Sequence, residues 1–380
     1  MGEPEEPELH LAVRDSIQPT SPQTEHITSS PDTLQHRGLH WWIQILIYIT
    51  FILVGQSIGV LLGRLYFNRG GKSRWISTLI QFVGFPVLLP LYHIFPKENT
   101  QRNKPLDLIS FFMIASIYIV LGLFGAGASM MYSIGLQYMP ISTFSLICAS
   151  QLAFNALFSF FLNSQSFTPY IMNSLMLLTI SSALLVFQPD HSSLPKGVSK
   201  ANYVVGVLCA IGNAVGYGLL YSITEFVFQR ILKNESFRAT LDMMMYQSLV
   251  ASCAAMAGLF ISGEWKTLNG EMARFELGKI SYMMTLIWTA LGWQLYTIGL
   301  LGLIVKVSSL FSNVVSTFGL PIVPVLAVVF FHDAMDGIKV VAMLLAIWGF
   351  ISYAYQQYLD DESKKSPNTY SSRDTESLRA

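Results

Sequence analysis

Ten apolar runs, each near the length of a membrane span, follow one another from Trp41 to Tyr358. A helical span needs roughly 20 apolar residues, and a helix satisfies all of its own backbone groups inside lipid. The runs predict helices at 42–62, 75–95, 108–133, 139–163, 169–188, 203–230, 240–262, 280–303, 308–331 and 337–358. Only 12% of the residues are charged and 52% are hydrophobic. A soluble domain averages about 25% charged residues, so the composition points the same way as the runs. The expected fold class is an all-α polytopic membrane protein with ten transmembrane helices. Residues 1–38 and 360–380 are polar and aperiodic and read as disordered tails. A net charge of zero gives no reason to expect nucleic acid as a partner. Cys148, Cys209 and Cys253 all fall in apolar runs and read as small packing residues rather than a disulfide framework.

An even number of spans puts both tails on one side. With the tails cytoplasmic, Lys and Arg divide thirteen inside to ten outside, a narrow majority in the direction of the positive-inside rule. Long polar tails are commoner inside, so cytoplasmic tails are the expectation. Asn234-Glu235-Ser236, the only glycosylation sequon, then faces the cytoplasm and stays unmodified. A glycan on Asn234 would overturn that orientation.

The two halves of the chain echo each other. Gly55-Gln56-Ser57-Ile58-Gly59 in the first span matches Gly212-Asn213-Ala214-Val215-Gly216 in the sixth. Ser142-Thr143-Phe144-Ser145 in the fourth matches Ser309-Leu310-Phe311-Ser312 in the ninth. The order of the matches is that of a five-helix duplication. Five is odd, so the second copy is inverted: two inverted five-helix repeats, 39–190 and 200–359. The echoed glycines equally suit close helix packing.

The ninth span combines a polar face with two interior prolines. Ser309, Ser312, Asn313, Ser316 and Thr317 recur at helical spacing, and Pro321 and Pro324 follow. Interior prolines weaken the helix ladder and bend it. A polar face before a bend at membrane depth suits the lining of a substrate path, and small residues also suit close packing.

Six stretches carry a resemblance to a known family. They are LYFNRGGKSRW (65–75), FVGFPVLLP (82–90), FISGEWKTL (260–268), SSLFSN (308–313), LPIVPVLAVVFFHD (320–333) and AIWGFISYAYQQYLDD (346–361). Over about residues 40–361 the chain resembles the plant purine permeases of the drug/metabolite transporter superfamily. The resemblance implies ten helices in two inverted halves. It also implies uptake of purine nucleobases, cytokinins or related small heterocycles, commonly driven by protons, with the plasma membrane as the expected location. Some members carry alkaloids or other ring compounds. No cofactor is implied, and the partners implied are a small neutral heterocycle, protons and the lipid bilayer.

A neutral heterocycle needs an aromatic face to stack on and amides to read its edge. Buried amides in a membrane helix need partners. Those falling inside spans are Gln56, Gln151, Asn155, Asn213, Gln294 and Asn313, each equally able to tie one helix to another. The sixth span carries a stripe four residues apart: Asn213, Tyr217, Tyr221, Glu225. Glu225 is an acidic residue placed inside the sixth span and is the expected proton-coupling group, although it also suits an ion pair with Arg230. Trp288 and Trp293 in the eighth span are the expected stacking partners. An anionic substrate would want Arg or Lys deep inside the spans; Lys306 comes close but sits at the junction of the eighth and ninth, which weighs against nucleotides and sugar phosphates. No HExxH, GxSxG or Walker A motif is present, so neither a metal site nor an enzyme is expected.

Overall fold

The computed structural model describes residues 31–91, 108–163, 168–187, 198–232, 237–306, 309–332 and 335–365. The tails outside these bounds, most of the 189–202 loop, the Asn234 sequon and Asp333 lie outside the described residues. The chain divides into a unit ending at Trp42 and a compact unit from Ile43 onward. Among the described residues the secondary structure is entirely helical.

The helices are α1 (Pro31–Asn68), α2 (Arg74–Phe82), α3 (Leu108–Tyr138), α4 (Ile141–Ala149), α5 (Gln151–Asn163), α6 (Pro169–Phe187), α7 (Lys200–Phe226), α8 (Phe237–Ile261), α9 (Leu268–Arg274), α10 (Gly278–Lys306), α11 (Ser309–Phe331) and α12 (Gly337–Lys365). Seven described segments are long and apolar enough to cross a membrane. Two shorter apolar segments, Arg74–Leu88 and Gly337–Tyr353, accompany them. The surface agrees with a lipid environment. Leu208, Ile280, Phe330 and Trp348 are exposed, while Ser133, Thr289, Ser312 and Thr317 are buried. A soluble protein reverses that arrangement.

Two elements differ from the sequence expectation. The second span is a nine-residue helix followed by a 3-10 turn, Phe85–Leu88, because Pro86 cannot donate to a continuing ladder. The fourth span is broken in two at Ser150. Its hydroxyl donates to Ile147 O at 2.7 Å and its N–H to the same carbonyl at 3.1 Å, tightening that turn. The ninth span, by contrast, stays one helix through Pro321 and Pro324. Two helices also outrun their spans: α1 starts at Pro31, a residue pre-organised for a helix start, and α12 continues to Lys365.

Side-chain hydroxyls set the helix starts. Ser73 Oγ accepts from Ile76 N at 3.1 Å to begin α2, and Ser199 Oγ accepts from Asn202 N at 3.2 Å to begin α7. Within the compact unit α3 packs on α7 and α8, α7 on α4 and α5, and α2 on α3, α8 and α10. Helix α11 packs on α4, α10 and α12, and α12 on α6. Seams are pinned by small hydroxyls: Ser181 Oγ donates to Ala342 O at 2.8 Å, and Ser352 Oγ to Tyr170 O at 3.0 Å. The main core gathers Val60, Leu136, Phe144, Leu152, Val323 and Tyr353.

Candidate functional site

A cluster of rings fills the middle of the compact unit. Trp293 and Tyr296 lie three residues apart on α10, so they share a face, and their rings are 5.8 Å apart edge to face. From α3, Tyr132 meets Trp293 at 5.9 Å, and Phe144 of α4 meets Tyr132 at 5.0 Å. From α7, Tyr217 and Tyr221 stand 6.0 Å apart. Hydroxyl contacts tie the group together: Tyr217 to Ser129 of α3 and Tyr296 to Ser316 of α11, each at 2.6 Å. The hydroxyl of Tyr221 faces that of Tyr296.

Helix α1 backs the cluster by close approach. A Cβ at Gly55 would lie 2.5 Å from Tyr296 N and 2.6 Å from Gly292 O. One at Gly59 would lie 2.7 Å from the Trp293 indole. Only glycine lets α1 press this near, and the contact fixes where the indole stands.

Three amides in or beside this centre keep an oxygen without a partner. Gln56, Asn213 and Gln294 are 6%, 2% and 3% exposed, and the side-chain oxygen of each is buried without a hydrogen bond. The Tyr132 hydroxyl is likewise unsatisfied. Asn213 does donate, through Nδ2, to Cys148 Sγ at 3.4 Å. Gln56 rests against Gly319 of α11. Gln294 turns away from its neighbour Trp293 toward the exit of α2, where a Cβ at Gly84 would stand 2.6 Å from Gln294 Cγ. Native structures rarely leave buried polar atoms unpaired, so Gln56 and Asn213 are the amides open to a partner from a ligand, and Gln294 faces elsewhere.

The other expected residues are placed elsewhere. The Asn155 amide oxygen accepts from Ser222 Oγ at 2.9 Å, and Ser159 Oγ lies 3.0 Å from the same hydroxyl, so Asn155 sits in the α5–α7 seam. Gln151 is buried at the start of α5, against which Gly218 of α7 packs. Trp288 is 56% exposed on the outer surface of α10, five residues and nearly half a turn away from the face of Trp293. Glu225 is half-buried in the last turn of α7, next to the π-helical turn Val227–Leu232 that carries Arg230. Arg230 is exposed and lies over the Phe226 ring at 5.7 Å. Asn313 falls on α11, with its side chain outside the described residues.

Sequence reasoning passed over Tyr132 and Tyr296, whereas Ser316 lay on the polar face read in the ninth span. The signal for Tyr132 was a weak one: Ser129, Tyr132 and Ser133 lie three and four apart on α3 and mark one polar face. It also passed over a polar network at the end of the unit where the α1–α2 and α8–α10 connections meet. There Glu271, 7% exposed, accepts from Tyr66 OH at 2.5 Å, Tyr282 OH at 3.1 Å and Ser73 N at 3.2 Å. Glu264 accepts from Ser73 Oγ at 2.6 Å, and Arg69 pairs with Glu276 at 2.9 Å. Arg64, 5% exposed, donates to the carbonyls of Leu136 and Gln137 and so caps the end of α3. The rings named in the cluster, Tyr132, Phe144, Tyr217, Tyr221, Trp293 and Tyr296, are all neutral side chains. Lys306 is exposed at the end of α10.

The profile of a family described as purine nucleobase transmembrane transport matches residues 43–363. The chain belongs to the purine permease family. Among relatives, purine permease 21 of Arabidopsis thaliana is 51% identical, covering 90% of this chain and 88% of its own. Probable purine permease 6 of the same plant is 54% identical over 84% of each chain. Probable purine permease 10 is 47% identical over 94% of this chain and 93% of its own. This purine permease is thus a multi-pass integral membrane transporter, and its relatives are permeases rather than enzymes. Its family text and its geometry coincide at two places: FISGEWKTL (260–268) supplies Glu264, and LYFNRGGKSRW (65–75) supplies the Tyr66 and Ser73 that hold Glu271.

Proposed function

We propose that this permease imports purine nucleobases, cytokinins or related small neutral heterocycles across the plasma membrane, with protons as the coupling ion. The observation that carries the reading is the ring cluster with unpaired amide oxygens at its edge. Trp293, Tyr296, Tyr132 and Tyr217 offer π-faces, and Gln56 and Asn213 offer acceptors. Base stacking on an aromatic side chain is worth about 1–3 kcal/mol and tolerates many rings. The acceptors discriminate, because a ring that lacks the matching donor leaves them unsatisfied. A charged substrate would meet no opposite charge there. Glu225, at the end of the Asn213–Tyr217–Tyr221 stripe, is the residue we assign to proton coupling.

The carrier architecture in this reading is ten spans in two inverted halves, residues 39–190 and 200–359, with cytoplasmic tails. The pattern of helix pairs supports it. Taking α4 and α5 as one span and leaving out the short α9, several of the packed pairs recur five spans on. The α3–α7 packing has its counterpart in α10 against α1, and α3–α8 in α10–α2. The α4/α5 contact with α7 has its counterpart in α11 against α1 at Gly319 and Gln56. Even the amides correspond: Gln56 and Asn213 hold matching places in the echoed segments.

The test is uptake of labelled adenine by yeast lacking its own purine uptake, competed with excess unlabelled purines, cytokinins and alkaloids. Saturable adenine uptake displaced by purines and cytokinins is the expected result. Uptake displaced only by an alkaloid would move the substrate to another ring class, and an absence of uptake would overturn the reading.

A further inference from the structure

The oxygen of Gln56 is the least explained polar atom of the centre. It is buried without a hydrogen bond, yet its neighbours on α1 press on α10 beside the two rings best placed to hold a heterocycle: Gly55 on the backbone at Tyr296 and Gly59 on the Trp293 indole. What it touches is the backbone of α11: a Cβ added at Gly319 would overlap Gln56 Oε1. Three residues earlier on the same helix, Ser316 holds the Tyr296 hydroxyl at 2.6 Å. Trp293, Tyr296, Ser316 and Gln56 therefore belong to one neighbourhood, at which α1, α10 and α11 meet. A C–H of glycine is at best a weak donor, so the α11 backbone does not replace a hydrogen bond. An amide tying two helices together would have found a hydroxyl or N–H, as Asn155 does at Ser222.

We propose that Gln56 accepts an N–H from the edge of the transported heterocycle through Oε1, and that Gly319 is the positioning residue for it. With no Cβ at 319 the amide can lie against α11, and this position sets Oε1 to meet the free N–H of a planar ring stacked on Trp293 and Tyr296. The inference rests on the reading of the ring cluster as the substrate site, and it adds the feature of the substrate that is read and the residue that permits the reading. Any side chain at 319 displaces the amide, so a change on α11 is felt as a change in what α1 recognises.

The experiment is a double-mutant cycle on initial uptake of labelled adenine, with surface carrier measured for each variant. Gln56→Met keeps the length and removes the acceptor, and Gln56→Ala guards against a packing effect of Met. Each raises KM on the order of tenfold, the size of one lost hydrogen bond to a buried partner, while the maximal rate per surface carrier holds. Gly319→Ala raises KM similarly, and in a Gln56→Ala background it raises KM no further. Selectivity provides the readout that packing alone cannot move. Wild type separates adenine from at least one of its 9-methyl and N6,N6-dimethyl derivatives, and Gln56→Ala takes that derivative and adenine alike. Unchanged KM and unchanged selectivity in both Gln56 variants, with wild-type adenine uptake intact, overturn this inference alone. A wild-type carrier that does not take up adenine overturns the substrate reading and this inference with it.

Discussion

At the scale of single residues, neighbours in sequence have unlike fates. Trp293 stands in the ring cluster and Trp288 faces outward, although both lie in one helix. Trp293→Ala should raise KM for adenine by the loss of one stacking surface, about 1–3 kcal/mol, while Trp288→Ala leaves KM unchanged. Initial-rate uptake with surface-abundance correction measures both, and equal effects would remove the ring cluster from recognition. Glu225 poses a different question, because it sits at the far end of the α7 stripe rather than among the rings. If it takes and releases the coupling proton, Glu225→Gln loses acid-stimulated accumulation and keeps exchange of labelled for unlabelled substrate. Exchange needs only the loaded carrier to reorient. Uptake at acidic and neutral external pH, beside counterflow in vesicles, separates the two, and wild-type pH dependence in the Gln variant would take Glu225 out of the mechanism.

At the scale of elements, closeness of approach governs. Along α1 the glycine ridge is not uniform: Gly55 meets backbone of α10, and Gly63 meets only the Leu136 side chain, 3.1 Å from a built Cβ. Backbone cannot rotate away and a leucine can. Gly55→Ala should therefore destabilise the carrier by the cost of overpacking, about 1–3 kcal/mol, and Gly63→Ala by less than half of that. Thermal unfolding of the detergent-solubilised variants measures the difference, and equal melting temperatures would show that α1 and α10 are free to part. The broken fourth span follows the same logic. Ser150 redirects one turn of the ladder; α4 before it packs mainly on α11 and also on α7, and α5 after it packs mainly on α7.

At the scale of the whole compact unit, polar groups are sorted into two kinds of place. At the end near Glu271 every carboxylate named above has donors: three for Glu271, and Ser73 Oγ with Trp75 N for Glu264. Among the rings the acceptors are left open. Glu271→Leu removes the shared acceptor of the Tyr66 and Tyr282 hydroxyls and the Ser73 amide, leaving the Tyr66 hydroxyl and the Ser73 N–H only the contacts between Tyr66 and Ser73. Hydrogen bonds to a charged group are worth about 1.5–3 kcal/mol each, so the variant should lose folded protein at the surface well before it loses affinity. Surface yield and KM, measured together, check this; a raised KM at normal yield would place Glu271 in recognition instead.

Membrane character and the all-helical fold class could be read from the chain, since each depends on local length and apolarity. The glycine ridges on α1 and α7 were legible for the same reason. What only the tertiary structure decided is which amide meets a donor. Asn155 and Gln56 are the same kind of group at the same kind of depth, yet Ser222 of another helix satisfies one and Gly319 of another helix satisfies nothing in the other. Spacing along a helix says which residues share a face. It carries no information about what the facing helix presents, because that depends on contacts between residues far apart in the chain.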